Sequence, residues 1–82
     1  MISELADGKP LAVGSRQTLK AIQDGRALKV FLAQDADEVL TAQLLQNAKD
    51  KKIPAVYVAT MQELGKACKI QVPASAAAII KG

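Results

Sequence analysis

The residues best suited to chemistry lie at the start of a predicted helix, in residues 14–20. This helix begins with the cations Arg16 and Lys20, although the partial positive charge of a helix N-terminus favours acids. Free backbone N–H groups beside these cations would bind an external anion such as a phosphate. The alternative needs no ligand: Ser15 caps the helix and Arg16 is simply solvated. These residues alone leave both interpretations open.

The same helix also offers side chains that can read a base. Arg16, Gln17 and Lys20 lie on one face or at its edge, close to the i, i+3, i+4 spacing. Arginine can bind O6 and N7 of guanine with two hydrogen bonds, and glutamine presents a donor and an acceptor to a base edge. A plain phosphate site would not need Gln17. Surface glutamines are common, however, so this pattern carries weight only together with a second segment.

Two segments far apart in the chain are basic and free of acids. Residues 8–23 and 64–82 together contain the cations Lys9, Arg16, Lys20, Lys66, Lys69 and Lys81. The rest of the chain has five cations against eight acids, so the formal net charge of +3 divides into +6 on these segments and −3 elsewhere. This asymmetry predicts a positive face, and such a face on a small domain usually binds phosphates.

Enzyme chemistry has little support in the sequence. There is no histidine, which excludes imidazole acid–base catalysis and most zinc sites. The glycines form no phosphate-cradling loop. Cys68 has Lys66 and Lys69 nearby, but without a histidine partner we expect a small buried residue and not a nucleophile. The acids within residues 35–38 fit helix starts better than a metal site. We therefore assign no catalytic residue, metal or cofactor.

Length and composition predict one domain over residues 1–82. Half of the residues are apolar, which excludes disorder. Phe31 and Tyr57 are the only aromatic residues, so stacking of bases on an aromatic platform is not the expected recognition mode. The single Cys68 fits a reducing compartment. Since neither a leader nor an apolar run near twenty residues is present, we expect a cytoplasmic protein without membrane contact.

Alternating strands and helices must position these residues. Apolar runs predict strands at residues 11–14, 28–33, 55–59 and 76–80, and helices at residues 2–7, 16–24, 35–51 and 60–68. Gly25 is placed to end the second of these helices. Capping boxes are expected from Asp35 with Glu38 and from Thr60 with Glu63. The alternation predicts an α/β fold, a three-layer α/β/α sandwich with a four-stranded mixed sheet.

Two motifs stand in register along the chain, Gly14-Ser15-Arg16-Gln17-Thr18-Leu19-Lys20-Ala21 and Leu64-Gly65-Lys66-Ala67-Cys68-Lys69-Ile70-Gln71-Val72. Together with the alanine-rich last strand they resemble the L7Ae family of kink-turn-binding ribosomal proteins, and above all its small bacterial YbxF-like branch. The likeness extends over essentially the whole chain. It includes the Val-Phe-Leu-Ala strand and the Asp-Ala-Asp sequence before the long helix.

In that family a four-stranded α/β/α sandwich binds a kink-turn, a sharply bent duplex RNA with a bulge and tandem sheared G·A pairs. The resemblance implies that Arg16, Gln17 and Lys20 enter the widened major groove and read the guanines of those pairs. It also implies that Gly14 lets the turn between strand and helix approach the RNA backbone closely. The implied function is binding without catalysis: no covalent bond is made or broken, and the protein shifts the RNA toward its bent state.

The resemblance further implies that the loop at residues 69–73 lies against the bulge, where Ile70 and Val72 contact an extruded base. Two positions depart from the family pattern, since glycine is usual at Lys69 and an acid at Gln71. Both departures make the loop more basic, which could strengthen binding, broaden specificity or reflect a different loop conformation. The candidate RNA-binding residues are Gly14, Ser15, Arg16, Gln17, Lys20, Lys66, Lys69, Ile70, Gln71, Val72 and Pro73.

The expected partner is a structured RNA, either ribosomal RNA or an mRNA leader, bound by a monomeric, ribosome-associated protein. The alternative function is a protein–protein interaction domain on the same sandwich, without specific RNA recognition. Loss of the basic helix start would favour that alternative. Because this chain keeps Arg16, Gln17 and Lys20, RNA recognition is the preferred hypothesis.

Overall fold

The computed structural model describes residues 10–81, which form four strands and three helices. The strands are β1 (Leu11–Val13), β2 (Ala27–Ala33), β3 (Ala55–Val58) and β4 (Ala76–Ile80), and the helices are α1 (Ser15–Gln23), α2 (Glu38–Asp50) and α3 (Met61–Ala67). All the elements predicted within these residues are confirmed, with small shifts at their ends. The helix predicted at residues 2–7 lies outside the described residues. No helix of the described part is long and apolar enough to span a membrane.

The strands form one mixed sheet in the order β1-β4-β2-β3. β4 runs antiparallel to both of its neighbours, whereas β2 and β3 are parallel. The parallel pair arises because α2 carries the chain back to the end of the sheet where β2 began. The alanines at residues 76–78 are fully buried between β1 and β2. They therefore form a central strand, as Pro73 and the following isoleucines predicted.

Helices cover both faces of the sheet and complete the predicted three-layer sandwich. Neighbouring residues of β2 point to opposite faces, and each face has its own buried core. One core contains Val30 of β2, Ile22 of α1 and Leu44 of α2. The other contains Phe31 of β2 and Leu64 of α3. Thus α1 and α2 share one face, and α3 lies on the other.

Each helix ends with a residue of positive φ followed by a hydrogen bond back to the last turn. The three residues are Gly25 (φ 70°), Lys52 (φ 58°) and Lys69 (φ 62°). The bonds run from Arg26 N to Ala21 O (2.9 Å), from Ile53 N to Ala48 O (2.8 Å) and from Ile70 N to Gly65 O (3.1 Å). These are Schellman motifs, in which glycine is preferred. A lysine there costs about 1 kcal/mol relative to glycine.

The capping box predicted from Asp35 and Glu38 is wrong. Asp37, and not Asp35, caps α2, since its carboxylate accepts hydrogen bonds from two N–H groups of the first turn at 2.8 and 3.3 Å. Asp35 instead accepts a hydrogen bond from Met61 N at 2.7 Å, at the start of α3. Thr60 caps α3 as predicted, through a hydrogen bond from Glu63 N to its hydroxyl (3.0 Å). Asp35 was misassigned because its partner lies 26 residues away in the chain.

The sheet has two ends, which carry different elements. We call the first the loop end, and it contains the start of α1, the starts of α2 and α3, and residues 68–75 before β4. We call the second the far end, and it contains residues 24–26, 51–54 and 81. The strand register supports this division, because Ala77 of β4 pairs with Val13 and Ile80 pairs with Ala27.

Candidate nucleic-acid interface

Among residues 10–81, no side chain caps the start of α1. Gly14 is the N-cap and Ser15 is the first helical residue, so the alternative in which Ser15 caps the helix is wrong. No side chain accepts a hydrogen bond at this N-cap, and no acid lies in the first turn. Within residues 10–81, the backbone N–H groups of Ser15, Arg16 and Gln17 have no hydrogen-bond acceptor. This helix start therefore presents free donors to solvent.

Gly14 fixes the direction in which α1 leaves the sheet. Its backbone, at φ 95° and ψ 159°, lies in a region that essentially only glycine adopts. Its N–H donates to Ala76 O at 2.8 Å, and its carbonyl accepts from Thr18 N at 2.9 Å. A Cβ added to Gly14 would meet no atom within 4 Å. The requirement for glycine is thus conformational, and the space beside the turn is open.

The predicted reading side chains share the solvent face of α1. Arg16, Gln17 and Lys20 are exposed, whereas Thr18 and Ile22 on the other side are fully buried. Burial against the sheet therefore fixes the rotation of the helix about its axis. As a result, all three predicted side chains point away from the protein on one short helix.

The loop between α3 and β4 presents its apolar residues in two different ways. Val72 is 62% exposed. Ile70 is half-buried and packs against the core on the α3 face, so it holds the loop in place as well as lining its surface. Gln71 and Pro73 are exposed. Lys69 adopts the left-handed conformation (φ 62°), as expected for a position where glycine is usual.

Gly65 holds this loop against α3, a role that the sequence interpretation missed. A Cβ on Gly65 would overlap the carbonyl oxygen of Val72 and lie 3.3 Å from Cα of Pro73. The loop backbone therefore packs directly on the backbone of the helix. One signal was available in the sequence: a glycine inside a predicted helix costs about 1 kcal/mol relative to alanine and usually has a packing reason.

A chain of backbone hydrogen bonds joins the loop to the start of α1. Ala74 N donates to Met61 O at 3.0 Å, and Ser75 O accepts from Ala33 N at 3.0 Å. The next residue, Ala76, accepts the bond from Gly14 N. Pro73 is three residues from Ala76, which is at most about 11 Å of extended chain. The two segments that the sequence assigned to one site therefore lie at one end of the sheet.

The position of Lys81 shows that the two basic segments do not form one positive face. Strand β4 carries the chain from the loop end to the far end, where Lys81 N donates to Arg26 O at 3.0 Å. Lys9 lies outside the described residues. The charged residues of α1, α3 and the loop end are the cations Arg16, Lys20, Lys66 and Lys69, with Lys20 and Lys66 in the last turns of their helices, and the acids Asp35, Asp37, Glu38 and Glu63. The loop end is thus balanced in charge, with cations on α1 and around the end of α3 and acids at the starts of α2 and α3.

Cys68 is a core residue, as the sequence interpretation expected. It is buried on the α3 face, and this burial raises the pKa of its thiol. A raised pKa keeps the thiol protonated and weakly nucleophilic near neutral pH. Lys66 and Lys69 flank it in sequence but do not make it reactive.

Comparisons with known proteins agree with this geometry. The family model described as "Ribosomal protein L7Ae/L30e/S12e/Gadd45 family" matches residues 2–82. An RNA-binding protein of Geobacillus sp. strain WCH70 is 46% identical over 69 residues, which is 84% of each chain. The RNA-binding protein YbxF of Geobacillus stearothermophilus is 39% identical over 71 residues, 87% of each chain.

Solved structures show the same architecture. The Giardia lamblia 15.5 kD RNA-binding protein superposes with a TM-score of 0.84 at 30% identity, over 98% of this chain and 67% of that one. A protein of unknown function from Bacillus halodurans superposes with a TM-score of 0.79 at 28% identity, over 88% of this chain and 72% of that one. The fold of this chain is therefore shared with both proteins.

Proposed function

The chain belongs to the L7Ae/L30e/S12e/Gadd45 family of ribosomal proteins, and on that premise we propose that it binds RNA and that its RNA target is a kink-turn. Its family and its relatives, which are named as RNA-binding proteins, indicate a binding protein and not an enzyme. The observation that carries the proposal is the uncapped start of α1. Free donors there lie beside exposed Arg16 and Gln17, and exposed Lys20 follows in the last turn of the same helix.

In the proposed complex the start of α1 enters the distorted groove of the RNA. Regular A-form RNA has a deep, narrow major groove that side chains cannot read, so specific readers target bulges and distorted steps. Backbone N–H groups at the start of α1 bind a phosphate, while Arg16 and Gln17 reach base edges. The open space beside Gly14 allows the RNA backbone to approach the turn.

The loop at residues 69–73 supplies the second half of the proposed site. Val72, with 62% of its side chain exposed, contacts a base that the bulge extrudes. Ile70 supports the loop from below, because it packs against the core. Lys69 adds a charge near phosphate in a conformation that costs about 1 kcal/mol relative to glycine. Strained residues of this kind tend to persist at functional sites.

The charge pattern of the loop end sets the orientation of the RNA. Asp37, Glu38 and Glu63 lie at the starts of α2 and α3, where they repel phosphates. The RNA backbone therefore follows α1 and the loop and avoids these helix starts. Because the loop end as a whole is balanced in charge, selectivity comes from positioned contacts. The protein then favours the bent RNA to the extent of its differential affinity for the bent state.

A protein–protein interaction domain is the alternative function. It would not need the combination of Arg16, Gln17 and Lys20 on the solvent face of α1, so RNA recognition is the stronger proposal. The proposal extends to a monomer in the cytoplasm that associates with the ribosome, through ribosomal RNA, or with an mRNA leader.

The test compares Arg16→Gln with Arg26→Gln, which makes the same change in net charge at the far end. Each protein is titrated with a short kink-turn RNA. Arg16→Gln is expected to weaken binding by about 1–3 kcal/mol, the usual loss for a base-reading arginine, whereas Arg26→Gln should leave this binding nearly unchanged. Equal losses in the two variants would contradict base reading by Arg16 and would favour simple charge attraction.

A further inference from the structure

The net positive charge of the described chain lies at the far end and not at the loop end. At the loop end, four cations are matched in number by four acids. The far end has five exposed cations, which we call the far-end cluster: Arg26, Lys49, Lys51, Lys52 and Lys81. Half-buried Lys29 lies at the same end and is not part of the cluster. Only Asp24 and Asp50 oppose them among residues 10–81. The excess charge is therefore remote from the proposed kink-turn site.

The fold brings the far-end cluster together from three separate parts of the chain. Arg26 follows α1, and its carbonyl accepts the bond from Lys81 N after β4 (3.0 Å). The end of α2 joins them through Pro54, whose carbonyl accepts from Val30 N at 2.9 Å. Arg26 and Val30 are four residues apart, at most about 14 Å of chain. The cluster thus forms one surface at the base of the sheet.

The pairing of cations with helix C-termini explains only part of this cluster. Lys49 lies in the last turn of α2, where a cation complements the helix dipole. Arg26 and Lys81 lie beyond the ends of their elements. Lys52 has a φ of 58°, a conformation in which glycine would avoid a cost of about 1 kcal/mol. Capping alone therefore accounts for neither the number nor the placement of these charges.

The cluster has no neutralising partners within the described residues. Within the described part of the chain, Arg26, Lys51 and Lys81 form no ion pair. The carboxylate of Asp50 accepts a hydrogen bond from the Gln46 amide at 3.0 Å. Uncompensated cations on one surface raise the local concentration of anionic partners. Among residues 10–81 the surface therefore has a net positive charge that can attract an external polyanion.

We propose that the far-end cluster is a second RNA contact surface, which binds the phosphate backbone of a segment separate from the one at the loop end. The protein measures 29 × 29 × 18 Å, so RNA at the two ends would be held about one protein length apart. The protein would therefore bridge two RNA segments. This inference goes beyond the proposed function and does not require that the loop end recognise a kink-turn.

The chemistry of the surface favours RNA phosphates over lipids or a protein partner. Stable binding to a membrane surface usually combines a basic patch with an apolar face or a lipid chain that inserts, and a protein interface usually has aromatic or apolar anchors. Leu28 is the one large exposed apolar residue near the cluster among residues 10–81. Without aromatic side chains for base stacking, the contacts are with phosphates. Binding is therefore independent of sequence and strongly dependent on salt.

The experiment uses two triple variants with the same net charge. One is Arg26→Gln/Lys51→Gln/Lys81→Gln at the far end, and the control is Arg16→Gln/Lys20→Gln/Lys66→Gln at the loop end; all six positions are exposed. Chemical unfolding first verifies that both variants fold. Each is then titrated with a short kink-turn RNA and, separately, with a regular RNA duplex at salt concentrations from about 50 to about 200 mM. A third titration adds the duplex to the preformed complex with labelled kink-turn.

The far-end triple variant is expected to keep kink-turn binding and to lose duplex binding at least tenfold at low salt. The slope of log K against log salt for the duplex should become about two to three units less steep, near 0.9 per lost phosphate contact. The loop-end control should keep duplex binding, and only proteins with an intact far end should form the ternary complex. If the kink-turn titration alone shows no binding, the proposed function is refuted. The duplex titration still tests the second contact surface in that case.

Three outcomes would overturn the inference. The first is equal loss of duplex binding in both triple variants, since net charge and not location would then be responsible. The second is unchanged duplex binding in the far-end variant. The third is binding of the far end to vesicles of phosphatidylserine and phosphatidylcholine, without duplex binding, because the partner would then be a membrane surface.

Discussion

Gly65→Ala tests whether close packing of the loop on α3 builds the site. The added methyl group would overlap the carbonyl oxygen of Val72 and would lie 3.2 Å from its carbonyl carbon. Both obstacles are backbone atoms, so no side-chain rotation can relieve the overlap. To restore ordinary van der Waals separation, residues 72–73 must move outward by about 1 Å. The exposed side chain of Val72 would move with them.

Two opposing effects set the size of the change in stability. Alanine in place of glycine inside a helix stabilises by about 1 kcal/mol, whereas forcing an extra methyl group into a packed contact costs about 1–3 kcal/mol. We expect a net loss of about 1 kcal/mol, which lowers Tm by about 4–8 °C in a domain of this size. Because the loop is displaced, affinity for a kink-turn should fall about tenfold, or 1.4 kcal/mol.

Gly25→Ala is the matched control, measured by thermal unfolding and by kink-turn titration. Gly25 has a φ of +70°, and a Cβ added to it would meet no atom within 4 Å, so alanine there strains the backbone by about 1 kcal/mol without collision. It lies at the far end and should leave kink-turn affinity unchanged. The reasoning is refuted if Gly65→Ala raises Tm, as helix propensity alone predicts, and binds the kink-turn as tightly as the original chain.

Three further predictions concern residues of positive φ, the buried hydroxyl and the buried thiol. Lys69→Gly and Lys52→Gly should each stabilise the fold by about 0.5–1 kcal/mol in urea unfolding, but only Lys69→Gly should weaken kink-turn binding; equal affinities would place Lys69 outside the interface. The hydroxyl of Thr18 is buried and has no hydrogen-bond partner within residues 10–81, so Thr18→Val should raise the free energy of unfolding by about 1 kcal/mol; a loss would reveal a partner for the hydroxyl. Burial raises the pKa of the Cys68 thiol, so the folded state favours the neutral thiol. The contribution of this buried thiol to stability is therefore lost as pH rises above the unfolded pKa of about 8.5. The stability difference between the original chain and Cys68→Ala should therefore shrink above that pH, and a constant difference would contradict the assignment.

Local patterns predicted the architecture because the apolar periods of this chain are clear. The run around Val30 and Phe31 is apolar except for Lys29, and the structure covers both faces of that strand. The end of α1 was equally readable, since Gly25 supplies the positive φ that the motif requires. In both cases the residue type and the local conformation agree.

Contacts between distant segments could not be predicted in the same way. Asp35 looked like the cap of the nearest helix, but its carboxylate binds Met61 N on the opposite face of the sheet. Lys81 belongs to a basic segment in sequence and yet lies at the far end, because a five-residue strand separates it from the loop. Charge sums over segments therefore misplace charge whenever a strand crosses the sheet between the charged residues.

The most direct test of kink-turn recognition is a titration of the unmodified chain with a short RNA kink-turn and a matched duplex. In the duplex, the two G·A pairs are replaced by Watson–Crick pairs, and both titrations run at low and near-physiological salt. Since basic proteins bind most RNA at low salt, the comparison near physiological salt decides the matter. We predict a preference for the kink-turn of about a hundredfold, or 2.7 kcal/mol, that persists as salt rises. Equal affinities that fall together with salt would contradict kink-turn recognition.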